Sequence, residues 1–223
     1  MRRLIITVVL MLVVGVSTTR AQSGGVTIAV KGGDNALFGA FASLSGEVRY
    51  EAAKHFALRG GAQYNTIGRA AAEVRPQYFH DFDFGRLGGE LLFNYAYQIH
   101  MNSFAVGCGV SLDIRRIWVT IGYYCRTMTM AASKIGEPFN IYYELGVRCL
   151  PKRERWDLNV MISNSQIFEL ERHYQPSFAL EGWWYPLAKL GVQMSVNYKP
   201  AGMFNMSSDY YQFYADLGVC YKW

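Results

Sequence analysis

The chain has 223 residues and a formal charge of +5, with 16 tyrosines, 13 phenylalanines, 5 tryptophans and 22 glycines but only 6 prolines. That length could bury one soluble core as readily as it could cross a membrane, so length does not choose the solvent. The charge does not argue for a nucleic-acid partner, and none is expected: Arg2, Arg3 and Arg20 belong to an N-terminal leader, and the remainder, about +2, holds no basic run or stripe.

The leader reads MRRLIITVVLMLVVGVSTTRAQS. Two arginines precede an apolar run from Leu4 to Val16, and small residues follow at Thr19 and Ala21. This is the three-part plan of a secretory signal peptide, with an apolar run short of the roughly 20 residues that a retained spanning helix needs. Residues 1–21 are therefore expected to be cleaved, leaving 22–223 as one domain. No cysteine lies where a lipoprotein anchor would need one.

After the leader the dominant pattern has a period of two. A short candidate strand at 25–31 is followed by noisier ones at 37–50, 55–66, 69–82 and 86–98. Residues 103–113 set Phe104, Val106, Cys108, Val110 and Leu112 against Ser103, Ala105, Gly107, Gly109, Ser111 and Asp113. The stretch 116–127 mixes both kinds of residue on both faces. Alternation is clear again at 140–149 and 156–163, noisier at 173–185, and clear at 188–199. At 211–223, Tyr211, Phe213, Ala215, Leu217, Val219, Tyr221 and Trp223 share one face. Side chains alternate across a strand, so each segment has an apolar face and a polar one. The count is twelve strands, with ten as the alternative.

Tight or charged turns are expected at 51–55, 83–86, 113–116, 151–155 and 185–188. Longer connections are expected at 128–138, 164–172 and 200–208. Such an arrangement describes an antiparallel meander rather than βαβ units. A soluble lipocalin-like barrel or β-sandwich would turn its apolar face inward and a charged face to water. Here the polar face is crowded with Gly, Ala, Ser, Asn and Gln, as suits an enclosed lumen. Aromatics gather near strand ends, with Tyr50, Phe82, Trp156, Trp184, Tyr221 and Trp223 on the turn side. Tyr64, Tyr78, Tyr97, Tyr123, Tyr198 and Tyr211 are assigned to the loop side. Two such bands fit the interfacial girdles of an all-β, up-and-down transmembrane barrel.

The terminal stretch Asp216-Leu217-Gly218-Val219-Cys220-Tyr221-Lys222-Trp223 resembles the C-terminal assembly signal of bacterial outer-membrane β-barrels. Asp216 is its polar residue, Gly218 follows two later, and Tyr221 and Trp223 hold the aromatic positions. The resemblance names a superfamily and no functional family. It implies export to the outer membrane of a two-membrane bacterium, contact with its lipid, and the barrel-assembly machinery as a partner during biogenesis.

With the apolar frame toward lipid, the lumen frame holds Glu47, Arg49, Arg59, Glu73, Arg75, Glu90, Asp113, Arg126, Glu144, Arg148, Asp157, Glu181, Lys189, Asp216 and Lys222. The charges nearly balance, which fits either a bracing salt-bridge network or a weakly selective polar pathway. Eight strands leave an interior that side chains fill and sixteen leave a channel; twelve falls between. Phe41, Leu92, Trp118, Tyr124, Tyr142, Met161, Trp183 and Tyr214 would narrow it to a small pore.

Other chemistry is weakly signalled. His100 and Ser103 lie close enough to suggest a lipid-modifying enzyme, but one base near one hydroxyl is a common accident. Of the four cysteines, Cys108, Cys125 and Cys149 fall in the lipid frame and Cys220 in the lumen frame. Cys108 is expected to pair near residue 121, away from Cys125. No spacing suits a metal, and no cofactor is expected. Three functions thus compete: a small pore, a closed barrel presenting loops at 128–138, 164–172 and 200–208 to a protein or solute, and a lipid-modifying enzyme.

Overall fold

The computed structural model describes residues 23–35, 39–98, 101–130, 133–150, 155–166, 169–170, 176–200 and 212–223. The expected signal segment, His100, His173, Tyr211 and the 201–208 part of the third loop lie outside them. The strands are β1 (Ser23–Asn35), β2 (Gly39–Ala53), β3 (Phe56–Asn65), β4 (Ala70–Phe82), β5 (Gly85–Gln98), β6 (Met101–Ile114) and β7 (Ile117–Met130). They continue as β8 (Ser133–Arg148), β9 (Trp156–Ser163), β10 (Ser165–Gln166), β11 (Glu169–Leu170), β12 (Ser177–Trp184), β13 (Leu190–Lys199) and β14 (Gln212–Lys222). Each large strand pairs with its chain neighbours, and β14 closes on β1, giving a twelve-stranded antiparallel barrel. The two-residue strands β10 and β11 form a separate hairpin between β9 and β12.

The alternation does what the sequence pattern demands. Leu217 and Val219 on β14 are 59% and 55% exposed, and Ile28, Val30, Leu44, Val110, Ile121, Leu180 and Met194 are likewise open on the outer face. Such an apolar outer belt is far larger than soluble surfaces tolerate and is what a membrane barrel turns outward. Inward positions such as Lys31, Glu73, Arg75, Glu90, Asn94 and Ser195 are buried. Closure then satisfies the backbone, because no edge strand is left with unpaired groups in hydrocarbon.

The seam explains the terminal motif in physical terms. Lys31 faces Asp216, Ala29 faces Gly218 and Val26 faces Tyr221 across β1 and β14. A Cβ on Gly218 would come within 2.9 Å of Ala29 Cβ and 3.0 Å of the Ile28 carbonyl oxygen. The glycine therefore permits the close approach of the closing strand. Outside, the Trp223 indole lies over Gly24, and its backbone N–H donates to the Gly24 carbonyl at 3.2 Å.

Four expectations need correction. The segment 128–138 is mostly ladder, because β7 runs to Met130 and β8 begins at Ser133. Strand β1 covers 13 residues instead of seven, since β2 and β14 hold its glycine-rich ends from both sides. Tyr78 sits in the turn-side band: it pairs with Phe56, and its ring lies 6.1 Å from that of His55. Cys108 faces Tyr123 rather than residue 121, because the β6–β7 hairpin turns on Arg115 and Arg116 alone, with Arg115 at φ 49°. Cys125 instead faces Val106, and all four cysteines are free.

A Gly218→Val barrel should assemble less stably by about 1–3 kcal/mol, the usual cost of overpacking a tight contact. The check is a lower urea midpoint for the heat-modifiable folded band on cold gels; an unchanged midpoint would mean that the seam tolerates a side chain there.

Candidate functional site: a lumen with two unlike walls

Over β4 to β8 the inner wall carries a tightly packed, buried cluster. Arg75 on β4, only 3% exposed, donates through Nε to Glu73 Oε1 at 2.6 Å and approaches Glu90 Oε1 on β5 at 3.5 Å. Asn94 Nδ2 donates to Glu73 at 3.0 Å and Gln77 Nε2 to Glu90 at 2.8 Å. Tyr142 on β8 crosses two strands to donate its hydroxyl to Glu90 at 2.8 Å. It can do so because Gly109 and Gly122 lie beneath it: a Cβ at either would overlap the tyrosine. Leu92, Ala105 and Tyr124 complete this buried cluster. Every charge in it is matched by several donors or acceptors, which is the condition under which ions are tolerated in a low dielectric.

Ion pairs also brace both ends. At the turn side Arg148 makes a two-pronged contact with Asp113, at 2.8 and 2.7 Å, while its guanidinium stacks over Trp118. Nearby, Glu51 accepts from Ser23 and lies 3.8 Å from Arg49 and 3.9 Å from Arg86, which also holds Asp81 at 2.7 Å. Arg49 is thus a residue of the mouth, with its side chain largely exposed. Toward the loops, Arg126 lies over Tyr124 and 3.8 Å from Glu137.

The opposite wall, β9, β12, β13, β14, β1 and β2, is polar, with Lys31, Ser43, Ser195 and Asn197 buried among half-buried acids. Glu47, Asp157, Glu181 and Asp216 are inward-facing and only half-buried, as are Arg59 and Glu144 across the interior. Arg59 donates to Glu47 at 2.8 Å, Trp118 Nε1 donates to Glu144 at 2.6 Å, and Ser195 donates to Asp216. Lys31 reaches Gln63 at 3.4 Å and lies 4.1 Å over the Tyr214 ring.

The charged positions picked from alternation do not form one assembly. Glu73, Arg75 and Glu90 come together in the packed wall. Arg148 and Arg49 belong to the mouth, Arg126 to the loop side, and Glu47, Arg59, Glu144, Asp157, Glu181 and Asp216 to the half-buried interior. Sequence reasoning missed Lys31, Glu51, Glu137 and Asn164. The first lay at the edge of a strand read as short, and Glu51 and Glu137 in segments read as turn or loop. Asn164 follows β9 and imitates a strand: its Oδ1 accepts from Tyr143 N at 2.7 Å, and its Nδ2 donates to Ile141 O at 2.9 Å. Ser103 is buried inside, opposite Met128. Among the described residues no group of three His, Cys, Asp or Glu side chains is arranged to hold a metal ion.

No protein-family model matches the chain, and no curated protein sequence does. Solved structures do match. The KdgM porin in complex with disordered oligogalacturonate aligns with a TM-score of 0.54 at 12% identity, over 87% of this chain and 98% of that one. The translocator domain of the autotransporter NalP from Neisseria meningitidis aligns at 0.59 and 10% identity, over 96% and 92%. An outer membrane channel from Pseudomonas putida F1 aligns at 0.56 and 10% identity, over 92% and 96%. The chain has the fold of bacterial outer-membrane β-barrels.

The packed wall makes a graded prediction. Tyr142→Phe should cost about 1–3 kcal/mol by leaving a Glu90 oxygen short of a donor. Arg75→Ala should cost more, about 3–5 kcal/mol, by stranding two buried carboxylates. Urea unfolding in micelles reads both, and a reversed order would show that Arg75 is not the hub.

Proposed function

We propose that the chain is a small pore of transport type in a bacterial outer membrane, exported by its N-terminal segment and inserted by the barrel-assembly machinery. The observation that carries this reading is the half-exposed polar wall inside a closed, lipid-facing barrel. Glu47, Arg59, Glu144, Glu181 and Asp216 are only half-buried on the inner face, where a plugged interior would bury them. Porins and a channel among the structures of the same fold agree with it.

The buried cluster around Arg75 and Tyr142 favours a second reading, a closed barrel that presents its loop side to a partner. The packed wall fills one side of the interior while the acids of the other remain half-buried, so a narrow passage is the better account of both.

Conductance separates the two. Protein purified from outer membranes and added to a planar bilayer should give steady, ohmic single-channel steps. Arg148→Ala, which opens the turn-side mouth by releasing Asp113, should enlarge or reshape them. Silence from protein whose cold-gel mobility shows it folded would reject the pore and leave the interaction barrel.

A further inference from the structure

We infer that the lumen passes small cations in preference to anions, and that Glu181 and Asp216 are the residues that set this preference. The inference rests on the pore reading and adds its solute class.

The near balance of charge in the lumen conceals an asymmetry in how the charges are used. The guanidinium groups are met by carboxylates: Arg59 by Glu47 at 2.8 Å, Arg75 by Glu73 at 2.6 Å, Arg148 by Asp113 at 2.7 Å and Arg126 by Glu137 at 3.8 Å. Two half-buried acids, one on each wall, are held differently. Asp216 accepts from the hydroxyl of Ser195 and Glu144 from the indole of Trp118, both neutral donors that leave the negative charge in place. Among the described residues Glu181 takes part in no ion pair. It lies in the field of Glu144, Glu47 and Asp216, opposed by Arg59, which Glu47 already engages.

A second observation is independent of that cluster. Residues facing one another from strand to strand trace a row across the wall: Asn159 faces Glu181, Glu181 faces Ser195, Ser195 faces Asp216, Asp216 faces Lys31, and Lys31 faces Ser43. Asn159 is only 9% exposed, yet its Oδ1 accepts no hydrogen bond from the protein, and neither does the buried Oδ1 of Asp216. Buried acceptors without donors are uncommon in folded proteins. Here one faces Glu181 and the other lies two strands further along the same row, both suited to a hydrated or N–H-bearing cation. Lys31, the cation closest to them on the row, turns instead to Gln63 and the Tyr214 ring.

Fixed charge in a narrow passage with low-dielectric walls acts strongly on a permeating ion, because the field is focused along the opening. Carboxylates at mid-depth, where ionised, attract cations and repel anions. A polyanion such as the oligogalacturonate named with the KdgM porin would need several free cations along its path, and these arginines are engaged, which leaves Lys31, held by neutral partners, as the one opposing charge on this row.

Reversal potentials in a potassium chloride gradient, at mildly alkaline pH to favour ionised carboxylates, test this. Wild-type channels should favour potassium over chloride. Glu181→Gln and Asp216→Asn should each lower the permeability ratio, the pair together should bring it close to one, and Glu181→Lys should turn it toward chloride. Cold-gel mobility verifies folding, and the single variants carry the test if the pair does not assemble. An unselective or anion-preferring wild-type channel, or a ratio that the substitutions leave unchanged, overturns the inference while the pore stands. Folded wild-type protein that never conducts overturns both.

Discussion

Closure of the hydrogen-bond ladder is the constraint from which the rest follows. In hydrocarbon an unpaired backbone group has no water to turn to, so a sheet must have no edge. The β1–β14 seam provides this, and it fixes the register of the whole wall: with Lys31 opposite Asp216 and Ala29 opposite Gly218, no strand can slip by one residue without exchanging its faces. The small residues at the seam follow from this. Gly218 and Gly24 allow, respectively, the closing strand and the Trp223 indole to come close.

Alternation then divides labour between the two faces, and the lumen divides it again. On β4 to β8, bulky side chains lie flat against the wall over glycines, as Tyr142 does over Gly109 and Gly122 and Trp118 over Gly146. A ring lying along the wall covers the glycine gap and carries its polar atom to a distant acid, Glu90 in one case and Glu144 in the other. The wall is thereby stiffened without filling the whole interior. The other wall has short polar residues, Ser195, Asn197 and Asn159, in place of such rings.

The fold was legible because a period of two repeated through some two hundred residues is hard to produce otherwise, and because a lipid-facing strand tolerates so few charges. The number of strands and the inward frame could be read from it. The partners could not. Glu73 and Arg75 look the same in sequence as Glu181 and Asp216, inward and charged, yet the first two are tied together and the second two are not. That difference depends on which neighbours the register supplies. The errors have similar causes. Two residues in the Arg115–Arg116 turn shifted the partner of Cys108 by two, and an extended β7–β8 ladder placed Glu137 beside Arg126 where a loop was expected.

Charge count is therefore a poor guide to what such a lumen does. Two interiors with the same number of acids and bases behave differently if one pairs them all and the other satisfies some acids with neutral donors. A guanidinium bridged to a carboxylate presents little net field to a passing ion, whereas a carboxylate held by a serine hydroxyl or an indole N–H keeps its charge while its geometry is fixed. Ser195 and Trp118 thus orient acids without cancelling them. The placement of neutral donors, as much as the placement of charges, decides which charges this lumen keeps.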